Sequence, residues 1–78
     1  MMFYEGGDDH LKNKVSYYRK KYGYSQEKLA EKLGVSRQTI ISIEKERYNP
    51  SLPLALIIAE AFRCKVEEIF FLEEDDYK

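Results

Sequence analysis

Side chains suited to reading the edges of DNA bases lie close together in one short stretch of the chain. Arg37 and Gln38 are adjacent, and Ser42 follows four residues after Gln38. Arginine can bond guanine through two donors, and glutamine can bond adenine in the same bidentate way. Ile41 adds an apolar group that can meet a thymine methyl, although a single exposed apolar residue is also commonly tolerated. These four residues are our candidates for base contacts.

Two short helical patterns position these side chains. In the first pattern, Leu29 and Leu33 are four residues apart, and in the second Ile40 and Ile43 are three apart. Each predicted helix therefore has one narrow apolar face. With Ile40 and Ile43 facing inward, the candidate base contacts share the outer face of the second helix.

The ends of these helices carry matching signals. Ser25 and Ser36 stand at N-cap positions, where a hydroxyl accepts a bond from an unpaired first-turn amide. Gly34 can adopt the left-handed conformation that ends the first helix. A tight turn with glycine between two capped helices predicts a helix-turn-helix at about residues 25–47.

This stretch resembles the XRE-type (Cro and phage-repressor-like) helix-turn-helix family. The resemblance runs from about Leu11 to Phe70 and includes Ser-Arg-Gln-Thr-Ile, Ile-Glu-Lys and Tyr-Asn-Pro-Ser-Leu. It implies an all-α fold, a compact five-helix lambda-repressor-like DNA-binding domain. We expect this domain at residues 11–72, an N-terminal extension at 1–10 and an acidic tail at 73–78.

The resemblance also implies roles for individual residues. It gives Gln26 a phosphate-clamping role, for which the alternative is a solvated first-turn residue. The loop after the recognition helix lies along the DNA backbone in the family, and Thr39 is a first-turn candidate. The expected phosphate contacts are Gln26, Thr39, Lys45, Arg47, Tyr48 and Asn49. The resemblance further predicts a structural salt bridge between Arg19 and Glu44.

Glu46 departs from the family pattern, because relatives often have glycine at this position. Glutamate does not readily adopt the left-handed conformation, and it brings negative charge near the phosphates. The geometry of the loop and its affinity for DNA both depend on how the chain accommodates this residue.

The flanking helices are predicted from apolar spacing. Apolar residues at 11, 15, 18 and 22 predict a first helix from Leu11 to Tyr22, and further patterns predict helices at 52–62 and 66–70. Phe71 and Leu72 predict a short strand, pairing with the N-terminal extension or with another subunit. Ile57 remains as an apolar residue outside the core stripe. We therefore expect a homodimer interface that includes Ile57, Phe71 and Leu72; the alternative for Ile57 is insertion into the core of its own domain.

Charge is distributed unevenly along the 78 residues. Residues 12–47 hold ten Lys or Arg and four acidic residues, a balance of +6, whereas the whole chain carries a formal charge of −1. A basic block that coincides with the helix-turn-helix is typical of contact with phosphates, although a run of charge can also be a solvated face. One cysteine and one histidine predict no disulfide framework, no zinc site and no cofactor. The absence of a membrane span or signal sequence predicts a cytoplasmic protein.

The leading interpretation is a transcriptional repressor that binds double-stranded DNA sequence-specifically, as a homodimer at a near-palindromic operator. The alternative is a module that binds a protein partner, such as an autoregulating antitoxin. An enzyme is not predicted, because the sequence lacks paired carboxylates, a nucleophile with a histidine partner and a glycine-rich phosphate loop.

Overall fold

A computed structural model describes residues 11–72, which fold as five helices and two very short strands. The order is β1 (Lys12–Asn13), α1 (Val15–Lys21), α2 (Gln26–Leu33), α3 (Arg37–Glu44), α4 (Leu52–Ala61), α5 (Val66–Ile69) and β2 (Phe70–Phe71). The predicted five-helix fold is confirmed. The predicted extension at 1–10 and acidic tail at 73–78 lie outside the described residues.

Serine side chains begin three of the helices. Ser25 Oγ accepts a bond from Lys28 N (3.0 Å), and Ser36 Oγ accepts one from Thr39 N (3.1 Å). Ser51 caps α4 in the same way, with Leu54 N as the donor. Each bond satisfies a first-turn amide that has no partner within its helix, so these three helix starts are determined locally.

One apolar core lies beneath all five helices. Its largest fully buried side chains are Phe62, Leu29, Ile40, Ile43, Ile58, Ile69 and Val15. The prediction that Ile40 and Ile43 of α3 face the core is therefore correct. Since Ile40 and Ile43 are fully buried in this core, the opposite face of α3 is directed outward.

Helices α1 to α4 end in the same backbone turn. After α3, Glu46 N donates to Ile43 O (2.9 Å) and Arg47 N donates to Ser42 O (3.0 Å). These are the two bonds of a Schellman motif, which places one residue in the left-handed region. That residue is a glycine after α1 and α2 but a charged residue after α3 and α4, in the order Gly23, Gly34, Glu46 (φ 61°) and Arg63 (φ 55°).

The beginning of the first helix was predicted wrongly. Helix α1 starts at Val15 rather than Leu11, because residues 12–13 form β1 and pair with β2 in antiparallel register, Asn13 opposite Phe70. A strand near the C-terminus is confirmed, but it covers 70–71. Its partner is β1, which lies within the stretch predicted as the first helix and not in the N-terminal extension. A main-chain partner far along the sequence thus overrides the local helical spacing.

The other helix boundaries need smaller corrections. Helix α3 ends at Glu44 instead of Glu46, since the residues that follow form the Schellman turn. Helix α4 ends one residue before Phe62, and α5 ends at Ile69 because Phe70 enters β2.

Candidate nucleic-acid interface

Helix α3 presents its polar face to solvent. Arg37, Gln38 and Lys45 are exposed, while Ile41 and Ser42 are half-buried. The four candidate base contacts therefore lie on the accessible side of one helix. Gln38 Nε2 donates to Ser42 Oγ (3.3 Å), which aligns the two side chains one turn apart.

A shallow depression joins the N-terminal ends of α2 and α3. It has a volume of about 460 Å³ and is lined by Arg19, Ser25, Gln26, Glu27 and Arg37. The structure thus brings the candidate phosphate clamp Gln26 close to the candidate base contact Arg37. Helix N-termini carry a partial positive charge and free amides, and both suit an anion.

A second depression lies on the other side of the α3 N-terminus. It has a volume of about 260 Å³ and is lined by Ser36, Gln38, Thr39, Ser42 and Tyr48. Tyr48, from the loop after α3, is 44% exposed. Thr39 Oγ1 lies 2.9 Å from Ser36 Oγ, so its hydroxyl is part of the helix cap.

Glu44 connects α3 to α1 and α2. It accepts bonds from Arg19 Nε (2.6 Å) and Gln26 Nε2 (3.1 Å), and the Arg19 and Glu44 side chains are only 12% and 9% exposed. The Arg19–Glu44 salt bridge expected from the resemblance is thus present in the structure. Arg19 Nη1 also donates to Tyr24 O (2.9 Å), which ties the start of α2 to the same pair. This network fixes the position of α3.

The turn after α3 is joined to the residues before α1. Asn13 Nδ2 donates to Ile43 O (2.8 Å), and Asn13 N makes a longer bond to Glu46 Oε2 (3.4 Å). Lys12 Nζ lies 3.2 Å from Glu46 Oε1, and Leu11 N donates to Asn49 Oδ1 (2.9 Å). We call this set the clasp: the contacts of residues 11–13 with Ile43, Glu46 and Asn49.

Sequence reasoning missed the clasp. Its only local signal is Asn13, which stands two residues before Val15 and accepts the Val15 N–H through Oδ1 (3.0 Å). That spacing is typical of an Asx turn at the start of a helix. Asn49, a predicted phosphate contact, also belongs to the clasp through its carboxamide oxygen, whereas Arg47 is exposed beside it.

The residues predicted for a dimer interface are not brought into one patch. Ile57 lies in a depression between α2 and α4 with Tyr22 and Leu33, whereas Phe71 lines a different depression with Lys14. Leu72 is half-buried. The most exposed apolar side chains of α4 are Leu52 (67%), Leu56 (51%) and Ile57 (46%).

Tyr18 and Cys64 lie on the core side of the molecule. Hydrogen bonding between the Cys64 thiol and the Tyr18 hydroxyl raises the pKa of Tyr18, and desolvation raises it further. Both effects favour the neutral phenol of Tyr18 over its phenolate. Its ring stacks on Phe62, with centroids 5.8 Å apart, so its role is packing.

The structure has two capped helices joined by a tight turn, and the second helix presents a polar face and basic side chains to solvent. These features define the class of helix-turn-helix DNA-binding proteins. The family described as "Helix-turn-helix" matches residues 15–69. The chain belongs to this family, in its XRE (Cro/C1) type, whose members are DNA-binding transcriptional regulators and not enzymes.

Individual proteins resemble the chain along most of its length. It is 58% identical over 66 residues to an uncharacterized HTH-type transcriptional regulator of Methanocaldococcus jannaschii, covering 85% of this chain and 100% of that protein. An uncharacterized HTH-type transcriptional regulator of Bacillus subtilis is 56% identical over 66 residues, again 85% of this chain and 100% of that protein. The crystal structure of the restriction-modification controller protein C.AhdI from Aeromonas hydrophila is 31% identical, with a TM-score of 0.64 over 70% of this chain and 80% of that one. Within residues 11–72, no helix is long and apolar enough to cross a membrane.

Proposed function

We propose that this regulator reads a specific double-stranded DNA sequence with α3 and acts as a homodimeric repressor in the cytoplasm. The observation that carries the proposal is the arrangement around the N-terminal end of α3. Arg37 and Gln26 line one depression there, and Gln38, Ser42 and Tyr48 line the adjacent one. The side chains that we assign to bases and those that we assign to phosphates therefore share the same two depressions.

The proposed contacts divide into two groups. Arg37, Gln38, Ile41 and Ser42 meet base edges in the major groove and carry sequence information. Phosphate contacts position the helix without reading sequence, and we assign them to Gln26, Thr39, Lys45, Arg47, Tyr48 and Asn49. Gln26 Nε2 carries two N–H groups, so it can donate one to Glu44 and the other to a phosphate.

The proposed dimer places two copies of α3 in successive major grooves. Half-sites would then be separated by roughly one helical turn, about 34 Å. Exposed apolar side chains support α4 as the interface, with Leu52 and Leu56 one turn apart and Ile57 beside them. Phe71 and Leu72 are weaker candidates, because Phe71 is 37% exposed with Lys14 Nζ over its ring. Repression would follow from occupying the operator.

The first experiment is a selection of bound sequences from a random double-stranded DNA pool at near-physiological salt. We expect two inverted half-sites about one turn apart. A single enriched half-site would exclude the dimeric arrangement, and the absence of enrichment would exclude sequence reading.

Substitution of the candidate base contacts tests the orientation of α3. Arg37→Ala should cost about 1–3 kcal/mol per half-site and relax the preference at one base pair. Lys65→Ala removes the same charge from an exposed position at the start of α5 and should preserve the preference. Equal preference in wild type and Arg37→Ala would show that α3 is oriented differently.

A further inference from the structure

Glu46 occupies a position that is unfavourable for it in two ways. Its φ of 61° lies in the left-handed region, where a side chain with a Cβ is strained. Its carboxylate also precedes Arg47 and Tyr48, which we place beside the DNA backbone, so its charge would repel phosphates. Neither feature is explained by packing in the apolar core, because Glu46 does not belong to it and its side chain is 30% exposed.

The clasp compensates for both features. Lys12 Nζ, 3.2 Å from Glu46 Oε1, supplies an opposite charge to the carboxylate. The Asn13 N–H reaches the other carboxylate oxygen, and the Asn13 side chain bonds the last turn of α3 at Ile43 O. Glu46 is therefore one of two points, with Ile43 O, at which strand β1 holds the end of the recognition helix.

The clasp also holds the far end of the same loop. Leu11 N donates to Asn49 Oδ1, three residues beyond Glu46. Arg47 and Tyr48 stand between these two anchors, with their side chains exposed. Anchoring on both sides restricts the main chain of the loop without covering the side chains that would bind phosphates.

We propose that Glu46 is a positioning residue for DNA binding. Through the clasp it holds residues 47–49 where they meet the phosphate backbone, so this acidic residue increases the affinity for DNA. This inference rests on the proposed function. It adds strand β1, which lies outside the helix-turn-helix, to the part of the molecule that supports DNA binding.

The substitution Glu46→Gly tests the direction of the effect. Glycine adopts the left-handed turn without strain, so the variant should stay folded. Electrostatics alone predicts tighter binding, because a negative charge near phosphates is removed. The clasp predicts the reverse, a loss of about tenfold in affinity, since the phosphate contacts of the loop become less well placed.

The salt dependence of binding separates positioning from a general loss of folding. Loss of ordered phosphate contacts should lower the slope of log affinity against log salt by about one per protomer. A smaller folded fraction would lower the affinity without changing the slope. Glu46→Gln keeps an oxygen for the Asn13 N–H and should recover part of the affinity that Glu46→Gly loses.

Two variants serve as matched controls. Arg63→Gly makes the same change to glycine at the equivalent left-handed position after α4 and should leave the salt slope unchanged. Glu27→Gln removes an exposed negative charge at the start of α2, where the described residues form no ion pair with it, and should tighten binding slightly.

Affinities would be measured on the selected operator and on a duplex of arbitrary sequence. Phosphate contacts do not depend on sequence, so the arbitrary duplex tests Glu46 even if operator reading fails. Weaker binding by Glu46→Gly with a reduced slope supports the positioning role. Tighter binding, or weaker binding with an unchanged slope, overturns it. A wild-type chain that binds neither duplex would overturn both this inference and the proposed function.

Discussion

Helices α2 and α3 end in the same backbone turn but reach it with different residues. Gly34 closes α2 with φ 76°, and Glu46 closes α3 with φ 61°. Around Gly34 the two Schellman bonds come from the main chain alone, Gly34 N to Glu31 O and Val35 N to Ala30 O. Around Glu46 the same two bonds are supplemented by side-chain contacts from β1.

The difference shows how two adjoining helices can be stabilised in different ways. The end of α2 depends on one residue type, so it is determined by the local sequence. The end of α3 depends on contacts more than 30 residues apart, Lys12 and Asn13 with Glu46. The recognition helix is thus fastened to the rest of the domain through side chains, and Glu44 provides the strongest of these contacts.

Glu44→Gln should have the largest effect on stability. It leaves the Arg19 guanidinium, 12% exposed, without its counter-charge and should lower the free energy of unfolding by about 3 kcal/mol. Urea denaturation would measure this loss. Glu31→Gln is the control, because it breaks an exposed ion pair with Lys28 and should cost less than about 1 kcal/mol. Equal losses in the two variants would show that α3 is not held through Glu44.

Gly34→Ala should have the next largest effect. An added Cβ would meet no atom within 4 Å, so the cost arises from the left-handed backbone alone. We expect a loss of about 1 kcal/mol after allowing for the lower entropy of alanine in the unfolded chain. Gly34→Asn should lose less, because asparagine tolerates this conformation. An unchanged free energy of unfolding in Gly34→Ala would mean that the end of α2 does not require glycine.

The parts of the fold that could be predicted from the sequence depend on neighbours a few residues away. Ser25 and Ser36 bond amides three residues on, and Gly34 closes a turn made by its own helix. Ile40 and Ile43 follow the helical period. Each of these features has one favoured local solution, and the outward face of α3 follows from them.

The clasp and the first strand could not be predicted in the same way. Leu11 to Asn13 fit a helical pattern, but the main chain of 12–13 pairs with that of 70–71, which the sequence does not place beside it. Glu46 violates the local preference for glycine, and only its distant partners explain why it is accommodated. The resemblance gave the positions of the candidate DNA contacts but not the contacts that hold Glu46.

Arg63→Gly should have the smallest effect and the opposite sign. Arg63 closes α4 with φ 55°, so glycine relieves strain of about 1–2 kcal/mol but adds about 0.4–1 kcal/mol of unfolded-state entropy, for a net gain of about 0.5 kcal/mol. Arg63→Ala keeps the strain and removes the same side chain, so it should show no such gain in urea denaturation. If Arg63→Gly and Arg63→Ala gain the same stability, the gain comes from removing the arginine side chain and not from relieving backbone strain. Glu46→Gly relieves the same backbone strain but removes the Glu46 carboxylate, which contacts Lys12 and Asn13. The amount by which its stability falls below that of Arg63→Gly therefore measures what these two contacts contribute to the end of α3.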